Sequence, residues 1–322
     1  IEIKMRDPFN LIYSSGTTGT PKGIVQDHQM RAAQMDRVSP NGYDDNARTL
    51  ISTPLYSNTT IVSFIPTLFG GSTVYLMPKF DARGYLEIVE REKITHTMLV
   101  PVQYKRIMDV TDFNSFDLSS MRIKFSTSAP LRADVKADVL ARFPGKLIEY
   151  YGLTEGGGVT VLVADEHPTK LHTVGQLAPG NDIRLIDTAG NEVPKGAVGE
   201  ICGRGPTMMA GYYGRDDLTS DYIWRNDAGD IYFRSGDMGS FDADGFLVLS
   251  DRKKDMIISG GLNIYANDLE LILLEDPDVI DVAVIGVPSD AWGEKPLGLV
   301  VLRDGATRNG EDIKQSANAR LG

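Results

Sequence analysis

A glycine- and hydroxyl-rich stretch near the start of the chain has the residue types needed to hold a polyphosphate. It reads Ser14-Ser15-Gly16-Thr17-Thr18-Gly19-Thr20-Pro21-Lys22-Gly23 and follows an apolar, strand-like run. Its glycines let backbone N–H groups turn toward an anion, its hydroxyls add donors, and Lys22 supplies a positive charge. It is not a Walker A loop, whose glycines are further apart and whose Lys precedes Ser or Thr. We interpret it as a phosphate loop of another type rather than as an ordinary Ser/Gly-rich surface loop.

Three later segments place an aromatic ring, a carboxylate and a basic cluster where a nucleotide could meet them. Tyr151 ends a predicted strand and Gly152 follows it, so the ring can lie beside a ligand at the carboxyl edge of a sheet. Asp237 lies in a predicted Ser-Gly-Asp turn between strands, where its carboxylate can accept hydrogen bonds. Residues 251–255 are rich in charge and separate two segments of different texture. Such a stretch is typical of a hinge or of a solvated linker.

In this order along nearly the whole chain, these segments resemble the signatures of the adenylate-forming superfamily. Its members include acyl-CoA and aryl-CoA ligases, peptide-synthetase adenylation domains and firefly-type luciferases. The strings that carry the resemblance, besides the phosphate loop, are Tyr150-Tyr151-Gly152-Leu153-Thr154-Glu155, Gly199-Glu200-Ile201-Cys202-Gly203-Arg204-Gly205-Pro206, Tyr232-Phe233-Arg234-Ser235-Gly236-Asp237, and Asp251-Arg252-Lys253-Lys254-Asp255-Met256-Ile257 with Ser259-Gly260-Gly261. The resemblance implies an α/β fold with a mainly parallel sheet, a small antiparallel β-barrel-like subdomain and an α+β C-terminal lobe.

The resemblance also implies a role for each matched residue. Tyr151 would stack on adenine, Thr154 would touch the α-phosphate, and Asp237 would accept from the ribose hydroxyls. The implied ATP-binding set is Ser14, Ser15, Gly16, Thr17, Thr18, Gly19, Lys22, Tyr151, Gly152, Thr154, Asp237 and Arg252. The implied catalytic residues are Lys22, Thr154 and Glu155, and the implied Mg²⁺ ligands are Glu155 and Thr18. Mg²⁺ prefers oxygen ligands and takes few from the protein, so one carboxylate plus phosphates is chemically sufficient.

The same resemblance predicts where the acid and the thiol would lie. Tyr56, Ser57, Thr127 and Gly156 are the expected acyl-pocket residues, and Ser57 stands where many CoA ligases carry His. The glycine run 156–158 would leave a wall without side chains that admits a bulky aryl or extended acyl group, unless it only serves a turn. The remaining implied positions are Lys254 at the pivot of the hinge, and Gly260 and Gly261 at the coenzyme A channel.

The pattern of elements supplies a scaffold for these residues. Residues 9–150 alternate short β-branched runs, the first of them Leu11–Ser14, with amphipathic segments such as Ala82–Glu92 and Leu131–Phe143. This alternation is typical of βα units that feed a parallel sheet. Residues 174–250 contain short strands separated by Gly and Asp-Gly, which favours an antiparallel sheet or small barrel.

We predict three regions from these changes of texture: an α/β nucleotide-binding part over 1–170, a β-rich subdomain over 171–251 and a mobile α+β lobe over 252–322. Members of the resembled superfamily have a substantial region before the phosphate loop and a C-terminal Lys motif. Neither is found here, so the first and last regions are expected to be partial.

Composition limits the partners and the compartment. The 322 residues include 33 Lys and Arg against 44 Asp and Glu, a net charge of −11. This balance argues against binding to nucleic acid, because that affinity depends on Lys and Arg neutralising phosphates. Cys202 is the single cysteine, which excludes an intramolecular disulfide and favours a reducing, cytoplasmic location. No apolar run is long enough for a membrane span.

The predicted function is that of an ATP-dependent acid–thiol ligase. It would activate an aryl or medium- to long-chain acyl carboxylic acid as acyl-AMP, release pyrophosphate, and transfer the acyl group to coenzyme A. The implied cofactors are ATP, Mg²⁺ and coenzyme A, and the partner is a small-molecule acid, with a homodimer left open. Two alternatives remain: a nucleotide-binding fragment or homologue that does not ligate, and an adenylation domain that loads a carrier protein.

Overall fold

A computed structural model of the chain describes residues 2–14, 21–259 and 262–321. Most of its strands are short and fall into four sheets. In chain order the strands are β1 (Pro8–Ser14), β2 (Lys22–Asp27), β3 (Arg48–Ile51), β4 (Thr73–Leu76), β5 (His96–Leu99), β6 (Ile123–Ser126), β7 (Lys146–Tyr151), β8 (Thr160–Val163), β9 (Gln176–Leu177), β10 (Asp182–Ile186), β11 (Gly199–Arg204), β12 (Gly211–Tyr212), β13 (Ile223–Arg225), β14 (Ile231–Phe241), β15 (Leu247–Arg252), β16 (Ile257–Ser259), β17 (Leu262–Ile264), β18 (Val279–Ser289) and β19 (Gly293–Leu302).

The α-helices lie mainly in the first half of the chain and at its end. They are α1 (His28–Val38), α2 (Asn58–Phe69), α3 (Ala82–Glu92), α4 (Pro101–Met108), α5 (Ala133–Arg142), α6 (Asp216–Asp221), α7 (Ala266–Leu274) and α8 (Gly310–Leu321). None of the helices in the described ranges is long and apolar enough to cross a membrane.

The central sheet has the order β4-β3-β5-β6-β7-β8-β9, and its strands from β4 to β7 run parallel. Helices cover it because parallel strands need crossover connections, and their apolar faces bury its surface. In α3, for example, Tyr85, Leu86 and Val89 are buried, and Asp81 caps the first turn by accepting from the backbone N–H of Gly84 at 2.6 Å. The predicted parallel α/β part is therefore confirmed.

The phosphate-loop strand differs from the prediction. Leu11–Ser14 was expected in the parallel sheet, and this is wrong: β1 pairs antiparallel with β2, and β2 pairs with β12, in a separate three-stranded sheet. The physical reason is the connection between β1 and β2. Residues 15–21 are too few for the crossover that parallel strands require, whereas a hairpin needs only a short loop.

The β-rich part is antiparallel, as predicted. Its order is β10-β11-β14-β13, and β15 joins through β14. Cys202 is fully buried here against Ile186 and Tyr232, and burial raises the pKa of its thiol to about 12. The thiol therefore stays protonated and serves as a small apolar core residue.

The C-terminal part forms an α+β unit in which the sheet has the order β17-β16-β19-β18, α7 packs against β18, and α8 packs against α7. Ile257, Ala266 and Val284 are its buried apolar centre. The expected texture of residues 252–322 is confirmed, whereas the three domain limits stay predictions.

Candidate functional site

A cavity of about 1200 Å³ lies where the hairpin, the central sheet, the β-rich sheet and α7 meet. β6 and β7 end at this cavity, as expected for the carboxyl edge of a parallel sheet. Nine residues predicted from the sequence line it: Ser14, Lys22, Thr127, Tyr151, Gly152, Thr154, Glu155, Asp237 and Arg252. The structure thus brings together residues that are more than 200 positions apart in the chain.

Tyr151, Asp237 and Arg252 form a connected group on one side of the cavity. The Tyr151 hydroxyl donates to Oδ2 of Asp237 at 3.0 Å, and Nε of Arg252 lies 3.3 Å from Oδ1. Burial raises the pKa of the Asp237 carboxyl above its usual value, and the charge of Arg252 and the hydrogen bond from Tyr151 offset part of this. Asp237 is 8% exposed, so its carboxylate is a fixed acceptor at the cavity wall.

The sequence predicted that Asp237 lies in a turn, and this is wrong. Asp237 belongs to β14 and sits opposite Arg252 of β15 in the strand register. Gly236 has a φ of +74°, and the register with β11 shifts between Glu200 and Cys202, where three residues of β14 (235–237) lie opposite one of β11. The Ser-Gly-Asp pattern therefore marks a β-bulge inside a long strand, which re-aims the carboxylate toward the cavity.

Glu155 is held by two contacts from the segment around β12. Its Oε1 accepts from the Tyr212 hydroxyl at 2.9 Å, and its backbone carbonyl accepts from the N–H of Met209 at 2.7 Å. Burial and the neighbouring Glu155 charge raise the pKa of Tyr212, so this phenol stays a donor. The second carboxylate oxygen has no hydrogen-bond partner within the described ranges. One free oxygen at a cavity wall fits Mg²⁺, which takes few protein ligands and completes its shell with water and phosphate.

Lys22 begins β2 opposite Ser14, so the phosphate loop is closed by a strand pair. Its Nζ donates to the Tyr222 hydroxyl at 2.7 Å and lies 4.2 Å from the centre of that ring. Among the residues that the structure describes, no carboxylate pairs with Lys22. Its charge is therefore oriented by an aromatic neighbour and is not neutralised, which suits an anionic ligand.

The predicted acyl-pocket residues separate in the structure. Thr127 lines the cavity, whereas Tyr56 is 82% exposed and lines a separate, smaller pocket of about 410 Å³ with Phe9 and Leu11. Ser57 precedes α2 as its N-cap and is not among the cavity-lining residues.

Gly156 is also outside the cavity lining, and its backbone explains why it is glycine. It has a φ of +74°, and a Cβ there would lie 1.7 Å from the carbonyl oxygen of Thr207. The close approach of two backbone segments thus accounts for this glycine without any substrate.

The predicted hinge and channel residues are further along the chain. Lys254 lies in a turn between β15 and β16, and its side chain is about half exposed, with Nζ 3.9 Å from Oδ1 of Asp255. Gly260 and Gly261 lie outside the described residues. The same holds for Ser15, Gly16, Thr17, Thr18 and Gly19 of the phosphate loop.

Sequence reasoning missed the residues that hold the site in place. Tyr212 and Tyr222 contact Glu155 and Lys22 across 57 and 200 positions, and no spacing signal connects them. It also missed Gln26, whose side-chain N–H donates to the Thr154 carbonyl at 2.8 Å. No sequence signal pointed to Gln26, because its complete burial in β2 is visible only in the structure.

Comparison with known proteins adds independent information. The profile described as "AMP-binding enzyme" matches residues 1–213, and that of the "AMP-binding enzyme C-terminal domain" matches residues 268–322. A medium/long-chain-fatty-acid–CoA ligase of Mycobacterium tuberculosis is 35% identical over 304 residues, which are 94% of this chain and 52% of that protein. A feruloyl-CoA synthase of Amycolatopsis sp is 35% identical over 324 residues, 100% of this chain and 65% of that protein.

Solved structures agree. ATP-bound MatB from Rhodopseudomonas palustris superposes with a TM-score of 0.91 at 30% identity, covering 100% of this chain and 63% of that one. The amide bond synthetase McbA from Marinactinospora thermotolerans gives 0.86 at 32% identity, covering 97% and 62%. The chain thus spans between half and two thirds of the length of these relatives. On this agreement of motifs, profiles and fold, the chain belongs to the AMP-binding enzyme family of the adenylate-forming superfamily, on its acyl- and aryl-CoA synthetase branch.

Proposed function

We propose that this protein is an ATP-dependent acid–thiol ligase that activates a carboxylic acid as acyl-AMP and transfers the acyl group to coenzyme A. The observation that carries the proposal is the convergence of three groups on one cavity. Asp237 is a buried acceptor suited to ribose hydroxyls, Lys22 is a cation without a described carboxylate partner, and Glu155 offers a free carboxylate oxygen. This combination matches the ribose, the phosphates and the metal ion of a metal-bound nucleoside triphosphate.

The chemistry we assign needs no nucleophile from the protein. A substrate carboxylate oxygen attacks the α-phosphorus of ATP, the bond to the bridging oxygen breaks, and pyrophosphate leaves. Lys22 neutralises charge that develops on the phosphates, and the Tyr222 hydroxyl orients it. Asp237 and Tyr151 fix the nucleoside, which holds the α-phosphorus in line for attack. Mg²⁺, held by Glu155 and by Thr18 of the loop, would supply charge stabilisation on the phosphates.

In the second half-reaction a thiolate attacks the acyl carbonyl of the mixed anhydride and AMP leaves. The feruloyl-CoA synthase and the fatty-acid–CoA ligase among the relatives support coenzyme A as the thiol. Helix α7 lines the cavity through Asn267 and Glu270, so the C-terminal part covers the site in this arrangement. We propose that it turns about Lys254 between the two half-reactions, with Gly260 and Gly261 then bordering the thiol. A cytoplasmic location and a homodimer stay predictions.

The test uses the full-length protein with ATP, Mg²⁺ and a broad panel of aryl and acyl acids. Acid-dependent exchange of pyrophosphate into ATP reports acyl-AMP formation, and AMP release with thioester formation reports transfer to coenzyme A. Parallel reactions with a carrier-protein thiol and with an amine identify the acceptor. We expect exchange and thioester formation with at least one acid. ATP binding without exchange across the panel would instead support a homologue that does not ligate.

A further inference from the structure

An arginine is buried beside the cavity and contacts only uncharged side chains. Arg31 of α1 is 3% exposed, and its guanidinium donates to four amide oxygens. Nε reaches Oδ1 of Asn10 at 3.0 Å, and Nη1 reaches Oε1 of Gln34 at 2.6 Å and Oδ1 of Asn58 at 3.1 Å. Nη2 donates to Oε1 of Gln26. Within the described part of the chain, no carboxylate pairs with this cation.

A buried charge is costly unless it is paired, so this arrangement needs an explanation. Burial alone lowers the pKa of Arg31 to about 10, and the group still remains ionised at neutral pH. A structural role would be served equally well by a carboxylate partner or by an apolar residue. A positive charge left without a counter-charge next to a cavity is instead suited to an anionic or strongly accepting ligand.

Arg31 also fixes which way two cavity-lining amides point. A guanidinium is only a donor, so the atoms it contacts in Gln34 and Asn58 must be their oxygens. The nitrogen of each amide is therefore directed away from Arg31, and neither donates to a partner within residues 2–14, 21–259 and 262–321. Gln34 and Asn58 both line the cavity, and Gln34 is 6% exposed. The wall here offers N–H donors backed by a cation.

This wall is continuous with the side of the cavity that holds Thr127, the one predicted acyl-pocket residue in its lining. Asn58 is followed by Thr59, whose hydroxyl is 2.5 Å from that of Ser128, and both residues line the cavity beside Thr127. Among the described residues, no hydrogen bond or ion pair joins Arg31, Gln34 or Asn58 to the group of Tyr151, Asp237 and Arg252 that suits the nucleoside. The occupant of the wall is expected to be the acid rather than ATP.

We propose that Arg31, Gln34 and Asn58 form a specificity-determining wall that selects carboxylic acids carrying a second hydrogen-bond acceptor, such as a distal carboxylate or carbonyl. The inference rests on the proposed ligase function and narrows its substrate class. Gln34 and Asn58 donate to the acceptor. Arg31 positions both amides, and its positive charge adds an electrostatic attraction for the acceptor. Saturated acids without such a group leave these two donors unpaired and are selected against, because the unmade hydrogen bonds cost binding energy.

The experiment measures kcat/KM for acid-dependent pyrophosphate exchange with matched pairs of acids. Butanoate, hexanoate, octanoate and cinnamate are each compared with the counterpart that carries a distal carboxylate or ketone. We expect the full-length wild type to prefer the acceptor-bearing member of at least one pair by about tenfold or more. Asn58→Leu and Gln34→Leu should each reduce this ratio by about tenfold.

Two further variants keep the test interpretable. Asn58→Asp retains the shape and the contact with Arg31 but adds a negative charge, so it should reduce the preference for the distal carboxylate more than that for the ketone. Gln176→Leu makes the same amide-to-Leu change on exposed strand β9, away from the cavity, and should leave the ratio unchanged.

Three results would overturn the inference. If the wild type has the same kcat/KM for saturated acids as for their acceptor-bearing counterparts, the ligase proposal stands but the wall does not determine specificity. Variants that raise KM for ATP equally with every acid assign the cluster to the nucleotide. Absence of exchange with every acid contradicts the ligase proposal itself, and the inference fails with it.

Discussion

The Tyr151 hydroxyl donates a hydrogen bond to Asp237 across 86 positions of sequence, joining the end of a parallel strand to a bulge in the antiparallel sheet. The two sheets are therefore connected at the point where we place the nucleoside. Arg252, on the neighbouring strand β15, contacts the same carboxylate, so the three side chains form one connected group.

Asp237→Ala should weaken ATP binding by about ten- to hundredfold, because it removes charge-assisted hydrogen bonds to ribose. Isothermal titration of ATP into the full-length variant measures this. Asp227→Ala removes an exposed carboxylate on the same subdomain and serves as the matched control. If ATP affinity were the same in both variants, the assignment of Asp237 to the nucleotide would be incorrect.

Glu155→Gln should lower the rate of pyrophosphate exchange by about a hundredfold and raise the Mg²⁺ concentration needed for half-maximal rate. Tyr212→Phe removes only the hydrogen bond to Oε1, so we expect an effect of about fivefold in the same direction. A Mg²⁺ titration of the two variants beside wild type gives both numbers. An unchanged Mg²⁺ dependence in Glu155→Gln would contradict the metal role.

Lys22→Ala should raise KM for ATP and lower kcat together, since a charge that faces the phosphates contributes to binding and to the transition state. Tyr222→Phe keeps the ring but removes the hydroxyl that Lys22 contacts at 2.7 Å. We expect it to show a smaller loss, mainly in kcat, because the cation remains but is less well oriented. Steady-state kinetics at varied ATP separates the two, and equal effects would mean that Tyr222 acts by packing alone.

Lys254→Pro should impair thioester formation about tenfold more than acyl-AMP formation, because proline restricts the backbone of the proposed hinge. Lys254→Ala removes the half-exposed side chain and leaves the backbone free, so it should change neither half-reaction by more than about twofold. Single-turnover measurements of each half-reaction provide the comparison. Equal losses in both steps of Lys254→Pro would remove the hinge assignment.

Lys124 gives a pH prediction that concerns stability. It is fully buried, its Nζ donates to the carbonyls of Phe143 and Pro144, and burial lowers its pKa to about 7. Between this pKa and the ordinary lysine value, the unfolded chain binds a proton that the folded chain does not, so stability rises with pH across that window. The contribution between pH 7 and pH 9 is about 2 kcal/mol.

Urea unfolding at several pH values tests this against Lys124→Met. The wild type should gain about 2 kcal/mol relative to the variant between pH 7 and pH 9. Lys105→Met replaces an exposed lysine paired with Asp109, and its free energy of unfolding should change with pH as that of wild type does. If the free energy of unfolding had the same pH dependence in wild type and in Lys124→Met, the Lys124 amine would not titrate between pH 7 and pH 9.

The sequence was informative where the chemistry is local. The helix Ala82–Glu92 was predicted with its observed limits, because its apolar spacing and its Asp81 cap are both within one segment. The α2 segment was missed, since Thr and Ser are frequent in it and are buried there through contacts that lie elsewhere in the chain. Tertiary packing decides such segments, and propensity does not.

The candidate site divides in the same way. Lys22, Tyr151 and Asp237 could be found because each belongs to a contiguous string, but the strand position of Asp237 depended on a bulge that only the pairing of β14 with β11 reveals. Arg31 could not be found at all, since a polar residue in a helix is ordinarily solvated. Its significance comes from burial against amides contributed by β1, β2 and α2.

Strand β12 is only two residues long, yet it pairs with β2 just after Lys22, and its Tyr212 contacts Glu155. The length of the span from β11 to β12 therefore sets the position of Tyr212 and Glu155 relative to the β-rich sheet. We expect this span to accept many changes of residue type at its exposed positions but no insertion or deletion. One added residue would shift Tyr212 to the opposite face of its strand and separate it from Glu155.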